Sequence, residues 1–221
     1  MRLDARTLRL AKGNLAEAAK LSKDDADQAA EDIETHWKDL HDHTEDLIGS
    51  LSAAALPADL RDRLKWIFGS DSADTVAKVK RKIEKMRKVI QRAATMTITY
   101  SAKYGDDPNL YAHVYPGDLD PLTAGSLFIY LDQRFAIREE NGLLNRYLTL
   151  VHEFSHLAVK TKDYDYEPFW TGAQRATGHR GPCLRPYAAE NFTVDKAVEN
   201  ADSYGFFFAA TYARDDGCVL P

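Results

Sequence analysis

Two histidines four residues apart, His152 and His156, lie in the stretch "VHEFSHLAVKTKDYDY", with Glu153 directly after the first. On an α-helix, residues i and i+4 project from the same face. The two imidazoles are then presented to one point, which is the spacing a tetrahedral zinc ion wants. A catalytic zinc brings the pKa of a water molecule towards neutrality. Glu153 is placed to take that water's proton as it attacks a carbonyl. The competing reading is a charged helix end that carries H-E-x-x-H by chance. Leu148, Leu150, Val151, Phe154 and Leu157 argue against chance, because they can anchor such a helix in a core.

A catalytic zinc also needs a third protein ligand and an open position. The metzincin pattern would require Gly at position 159 and His at position 162. The chain has Val159 and Lys162, so that class is excluded. A gluzincin-type site would use a downstream helical glutamate, for which Glu199 and Glu190 are candidates. Asp163 is the nearest candidate, seven residues after His156, and a short loop would fold it back onto the metal. Spacing alone leaves all three open.

"HEFSH…TKDYDY" resembles the aspzincin family of zinc endopeptidases, the deuterolysins and peptidyl-Lys metalloendopeptidases. In that family H-E-x-x-H is followed by G-T-x-D-x-x-Y-G. Thr161, Asp163 and Tyr166 fall on the second motif, whereas its flanking glycines are Lys160 and Glu167 here. "SLFIYLDQRF" is similar to the family's strand before the active-site helix, and "DKAVENADSYGFF" to its "DKA…NADxY" segment. The resemblance covers roughly residues 95–213. It implies one Zn2+ per chain, with Asp163 as third ligand and Tyr166 as hydrogen-bond donor to the oxyanion. It places Asp202 either near the pocket for the residue after the scissile bond or behind a ligand histidine, holding it by a hydrogen bond. In the lysine-specific members a Glu follows that Asp by three residues. Gly205 stands there in this chain, so room for Arg or a larger residue is expected, with a basic preference that is not strict.

Elements of fitting kinds surround these residues. Residues 1–95 read as helical, from "LDARTLRLAKGNLAEAAKL" through a long helix capped by Ser22 and Asp25 to a short helix after Pro57. Val76, Val79, Ile83, Met86 and Ile90 then form one apolar stripe of an amphipathic helix. "TMTITY", "YAHVY" and "SLFIYLDQRF" read as strands. A helix from about Leu143 to Val159 carries the histidines, and a last one runs from about Thr193, its N-cap, to Tyr212. The expected class is α+β and zincin-like. A helical region, 1–94, and a catalytic region, 95–221, together make one compact domain.

The composition is ordinary for a globular chain. Of 221 residues 44% are hydrophobic and 29% charged, and the net charge of −5 argues against a protein built to grip nucleic acid. No apolar run is long enough to span a membrane. The N-terminus lacks an apolar core of signal-peptide type. The expectation is a trimmed domain or a chain exported by another route, as an effector or toxin would be. Cys183 and Cys218 form one bridge or remain two buried thiols. "AKVKRKIEKMRK" reads as a solvated basic face, and His36, His41 and His43 as solvated histidines. His113 and His179 are lone. The function read from all this is a zinc endopeptidase acting on protein or peptide substrates, with any inhibitor or immunity partner unspecified. A zinc amidase of peptidoglycan type is the first rival. A binding protein with a vestigial site is the second, and Glu153 argues against it, since binding needs no base.

Overall fold

The alternating "TMTITY" and the apolar "SLFIYL" become neighbouring parallel strands. A computed structural model describes residues 8–10, 23–92, 95–100, 112–114, 126–131, 142–164 and 193–212. Strands β1 (Leu8–Leu10), β2 (Thr95–Tyr100), β3 (Ala112–His113) and β4 (Ser126–Leu131) form one sheet in the order β1-β2-β4-β3. β2 runs parallel to both β1 and β4, with Met96 opposite Leu8 and Leu127. β3 is antiparallel to β4, with His113 opposite Tyr130. Leu8–Leu10 corrects the helical reading of the first residues. Helix propensities of Leu and Arg exceed those of other residues by only tenths of a kcal/mol, roughly, and a strand partner overrides them. The rest of that first predicted helix, and the Ser22 cap, lie outside the described residues.

The helices follow their apolar spacing. They are α1 (Lys23–Leu51), α2 (Ala58–Phe68), α3 (Ala73–Arg92), α4 (Gly142–Val159), α5 (Val194–Glu199) and α6 (Ala201–Tyr212). α2 starts after Pro57 and stops at Gly69, whose φ of 77° is the left-handed conformation that ends helices at little cost to glycine. On α3, Val79, Ile83, Met86 and Ile90 are buried as the stripe requires. α6 is buried without interruption from Ser203 to Ala209, so it is the central helix, and α4 packs along it. Gly205 makes that approach possible: a Cβ there would lie 3.0 Å from the Leu148 carbonyl oxygen. On the other side of α4, Trp37 of α1 meets Phe154 edge-on at 5.4 Å.

His36 and His43 are corrections as well. His36 is buried against Tyr147, and His43 stacks on Tyr212 with ring centroids 3.4 Å apart. His43 Nδ1 also lies 2.6 Å from the Tyr147 hydroxyl. Imidazoles at the α1 seam with α4 and α6 bury an aromatic body and keep a polar partner, which a solvated ring does not do. His41, paired with the exposed Asp42 at 3.1 Å, is mostly covered as well, with 13% of its side chain accessible. The basic residues of α3 find acids on three elements: Lys78 with Asp74 and Asp195, Lys80 with Glu84, and Arg87 with Glu45 of α1.

Candidate metal centre

His152 and His156 project from the last turns of α4, the first buried and the second half-buried. Each ring is held at its outer nitrogen. His152 Nδ1 lies 2.6 Å from Asp202 Oδ1, and His156 Nδ1 lies 2.8 Å from the Thr161 carbonyl oxygen. A carboxylate and a carbonyl only accept, so both Nδ1 atoms carry the proton; the tautomer follows from these partners. The two Nε2 atoms then face one another with lone pairs, 3.1 Å apart. Asp163 Oδ1 closes the triangle at 3.2 Å from His152 Nε2 and 3.1 Å from His156 Nε2.

Three acceptors around one point repel one another unless a cation lies between them. Proton affinities show the same demand. Burial disfavours the charged form of His152, yet Asp202 and Asp163 outweigh it and hold its pKa well above the ordinary imidazole value. His156 moves up too, because its bond to Asp163 outweighs burial and the repulsion of His152. Burial would raise Asp163, but the two imidazoles hold its carboxyl far below the usual range. This donor set fits a divalent cation: two neutral imidazole nitrogens and one carboxylate oxygen, all within 4.8 Å of one another. Among the described residues, no other group of His, Cys, Asp or Glu converges this way.

The backbone after α4 delivers Asp163. Lys160 takes φ 57°, the left-handed conformation, and so turns the chain back at a position where the family motif has glycine. An L-residue there is strained by about 1–2 kcal/mol. Lysine thus makes this turn at an energetic cost. Thr161, now beneath His156, is buried, and its hydroxyl lies 2.7 Å from Ser155 Oγ. Lys162 pairs as a parallel bridge with Asn200, where the predicted last helix breaks into α5 and α6. The Thr193 N-cap is as expected, accepting from Lys196 N at 3.2 Å.

Glu153 is buried beside the triangle, with Oε1 3.9 Å from His152 Nε2. Burial raises its pKa, and the neighbouring imidazoles of His152, His156 and His113 oppose the rise. His113, on β3 and stacked on Tyr130, therefore belongs to the surroundings of the site, although nothing in its sequence neighbourhood marks it. Ser155 went unseen too, since its partner is set by the Lys160 turn.

Glu199 is not part of the triangle. Its carboxylate accepts from Lys82 of α3 at 2.7 Å, and Lys82 also reaches the Val159 carbonyl at 3.4 Å. The expected room at Gly205 is absent, because Leu148 occupies the place where a side chain would begin. Asp202 points at His152. Tyr166, Glu190, His179, Cys183 and Cys218 lie outside the described residues.

A family model described as lysine-specific metallo-endopeptidase, of aspzincin type, matches residues 53–209. The chain belongs to the aspzincin family. As an aspzincin it is a zinc metalloendopeptidase, a hydrolase, which is the level of function that the H-E-x-x-H and T-x-D-x-x-Y motifs implied. Among solved structures it is similar to a zinc peptidase from Grifola frondosa at 22% identity. That match covers 87% of this chain and 98% of that one, with a TM-score of 0.51, and it agrees with the α+β aspzincin fold. No curated protein sequence matches significantly.

Proposed function

We propose that this aspzincin holds one zinc ion through His152 Nε2, His156 Nε2 and Asp163, and cleaves peptide bonds with Glu153 as general base. The observation that carries the reading is the triangle of three acceptors whose outer nitrogens are already tied down. Zinc, when bound, polarises the scissile carbonyl and acidifies a water molecule. The chain's own residues do the remainder. Glu153, buried beside the two imidazoles, takes the proton of the attacking water on a carboxylate oxygen. It then returns the proton to the departing amine nitrogen. Asp202 keeps the proton on His152 Nδ1, so that Nε2 stays a donor of electrons. Tyr166 is assigned the oxyanion contact by its place in the T-x-D-x-x-Y motif.

The same proposal includes a mild preference for a basic residue after the scissile bond. Its supports are the family's description and the partly exposed carboxylate of Asp202, 16% accessible beside the histidines. One of its oxygens is engaged by His152, so a weaker attraction is expected than two free acids would give.

Two variants test the core of the proposal. Glu153→Gln is expected to keep its zinc and lose turnover on a denatured protein mixture, because an amide cannot accept the water's proton. Asp163→Ala is expected to lose zinc by metal analysis. Parent-rate cleavage by Glu153→Gln sinks the mechanism, and full zinc in Asp163→Ala sinks the ligand set. Sequencing the new N-termini from the parent reaction tests the preference, which fails if Lys and Arg are not enriched.

A further inference from the structure

We propose that Asn200 is a positioning residue for the metal site, holding both peptide groups that flank Asp163; this rests on Asp163 being the third ligand. Asn200 is 4% exposed and sits between α5 and α6 in an extended conformation, φ −90° and ψ 132°. A break in a helix leaves backbone groups without intrahelical partners. The metal loop takes them up. The Glu199 carbonyl accepts from Lys162 N at 2.8 Å, and Ala201 N donates to the Lys162 carbonyl at 3.0 Å. The Asn200 side chain adds a contact of its own, with Oδ1 accepting from Tyr164 N at 3.3 Å.

Lys162 and Tyr164 are the two neighbours of Asp163. With both fixed, only the side-chain torsions of Asp163 remain to place its carboxylate between the imidazoles. The amide suits this task better than other side chains do. Its oxygen faces the Tyr164 N–H, and its Nδ2 lies 3.4 Å from Ser203 Oγ, which favours one orientation. Aspartate would bury a second negative charge near Asp163, and alanine would leave the Tyr164 N–H unmet. A continuous helix through position 200 would use up the same backbone groups internally and leave the loop without an anchor.

The experiment is a chelator-competition titration with zinc as probe, on the full chain. It compares the parent, Asn200→Ala, Asn200→Leu (which keeps the branching at Cγ without the polar atoms), Asp163→Ala and the double variant Asn200→Ala/Asp163→Ala. Either Asn200 variant is expected to weaken zinc binding about tenfold, as loss of an outer hydrogen-bond partner does, with the helical signal unchanged. In the Asp163→Ala background, titrated at zinc concentrations high enough to load the two imidazoles that remain, Asn200→Ala should cause no further weakening, because the residue acts through Asp163. Equal weakening in both backgrounds makes the role generally structural and overturns the proposal. So does parent-like affinity in the Asn200 variants while Asp163→Ala loses zinc. If Asp163→Ala itself binds like the parent, the ligand reading fails instead, and this inference with it. Should both Asn200 variants fail to fold, amide exchange at Tyr164 in the zinc-loaded parent decides. Protection supports the anchor, and exchange at the unprotected rate overturns it.

Discussion

One proton on His152 decides what the site can hold. Asp202 keeps that proton on Nδ1 through the 2.6 Å contact, and Nε2 is left free for a cation. Asp202→Ala removes both the orientation and the nearby negative charge. Zinc affinity is expected to fall about 10–100-fold, and Asp202→Asn, which still accepts the hydrogen bond, should fall less. Chelator competition measures both, and parent-like binding by Asp202→Ala would return Asp202 to a pocket role alone. The histidine pair was legible in the sequence because helical periodicity turns a spacing of four into a shared face. Asp163 was legible only as one candidate among three until the motif was matched. Asp202 could be named but not assigned, since no periodicity relates residues fifty positions apart. The strain at Lys160 was invisible, because composition marks such a turn by glycine and none is present.

Helix α6 shows how an element serves the site by packing rather than by chemistry. Gly205 lets α4 lie against it, and α4 carries His152, Glu153 and His156. In an open helix Gly→Ala gains about 1 kcal/mol. Here the new Cβ would meet a backbone carbonyl at 3.0 Å, which cannot turn aside as a side chain can. Gly205→Ala is therefore expected to lower stability by about 1–3 kcal/mol in urea unfolding. A gain in stability would show that α4 shifts freely. The amphipathic helices and the strands "TMTITY" and "SLFIYL" could be read in advance because their patterns are local. The break at Asn200 could not, since "VDKAVENADSYGFF" has no proline, its glycine lies inside α6 rather than at the break, and the groups that compensate the break lie on the loop at Lys162–Tyr164. β1 was missed for the same reason: three residues have no pattern of their own, and their partner β2 is far along the chain.

Across the whole molecule, a bound cation would tie α4, its following loop and, through Asn200 and Asp202, the central helix. A ligand that binds only the folded state stabilises it by about 2.7 kcal/mol at a hundredfold excess over Kd. For a chain of this length that is roughly 5–10 °C in Tm. Chelator should lower the Tm of the parent by this order and leave Asp163→Ala unmoved, as read by scanning calorimetry. An equal response in both would place the metal elsewhere. The segment at 200–202 has one more consequence, which concerns synthesis. A ribosome makes His152, His156 and Asp163 well before Asn200 and Asp202. At roughly 5–20 residues per second the interval is a matter of seconds. Throughout it the nascent chain carries His152 without the Asp202 carboxylate that orients it and Asp163 without its Asn200 anchor, so the cutting machinery is among the last parts of the described chain to be assembled.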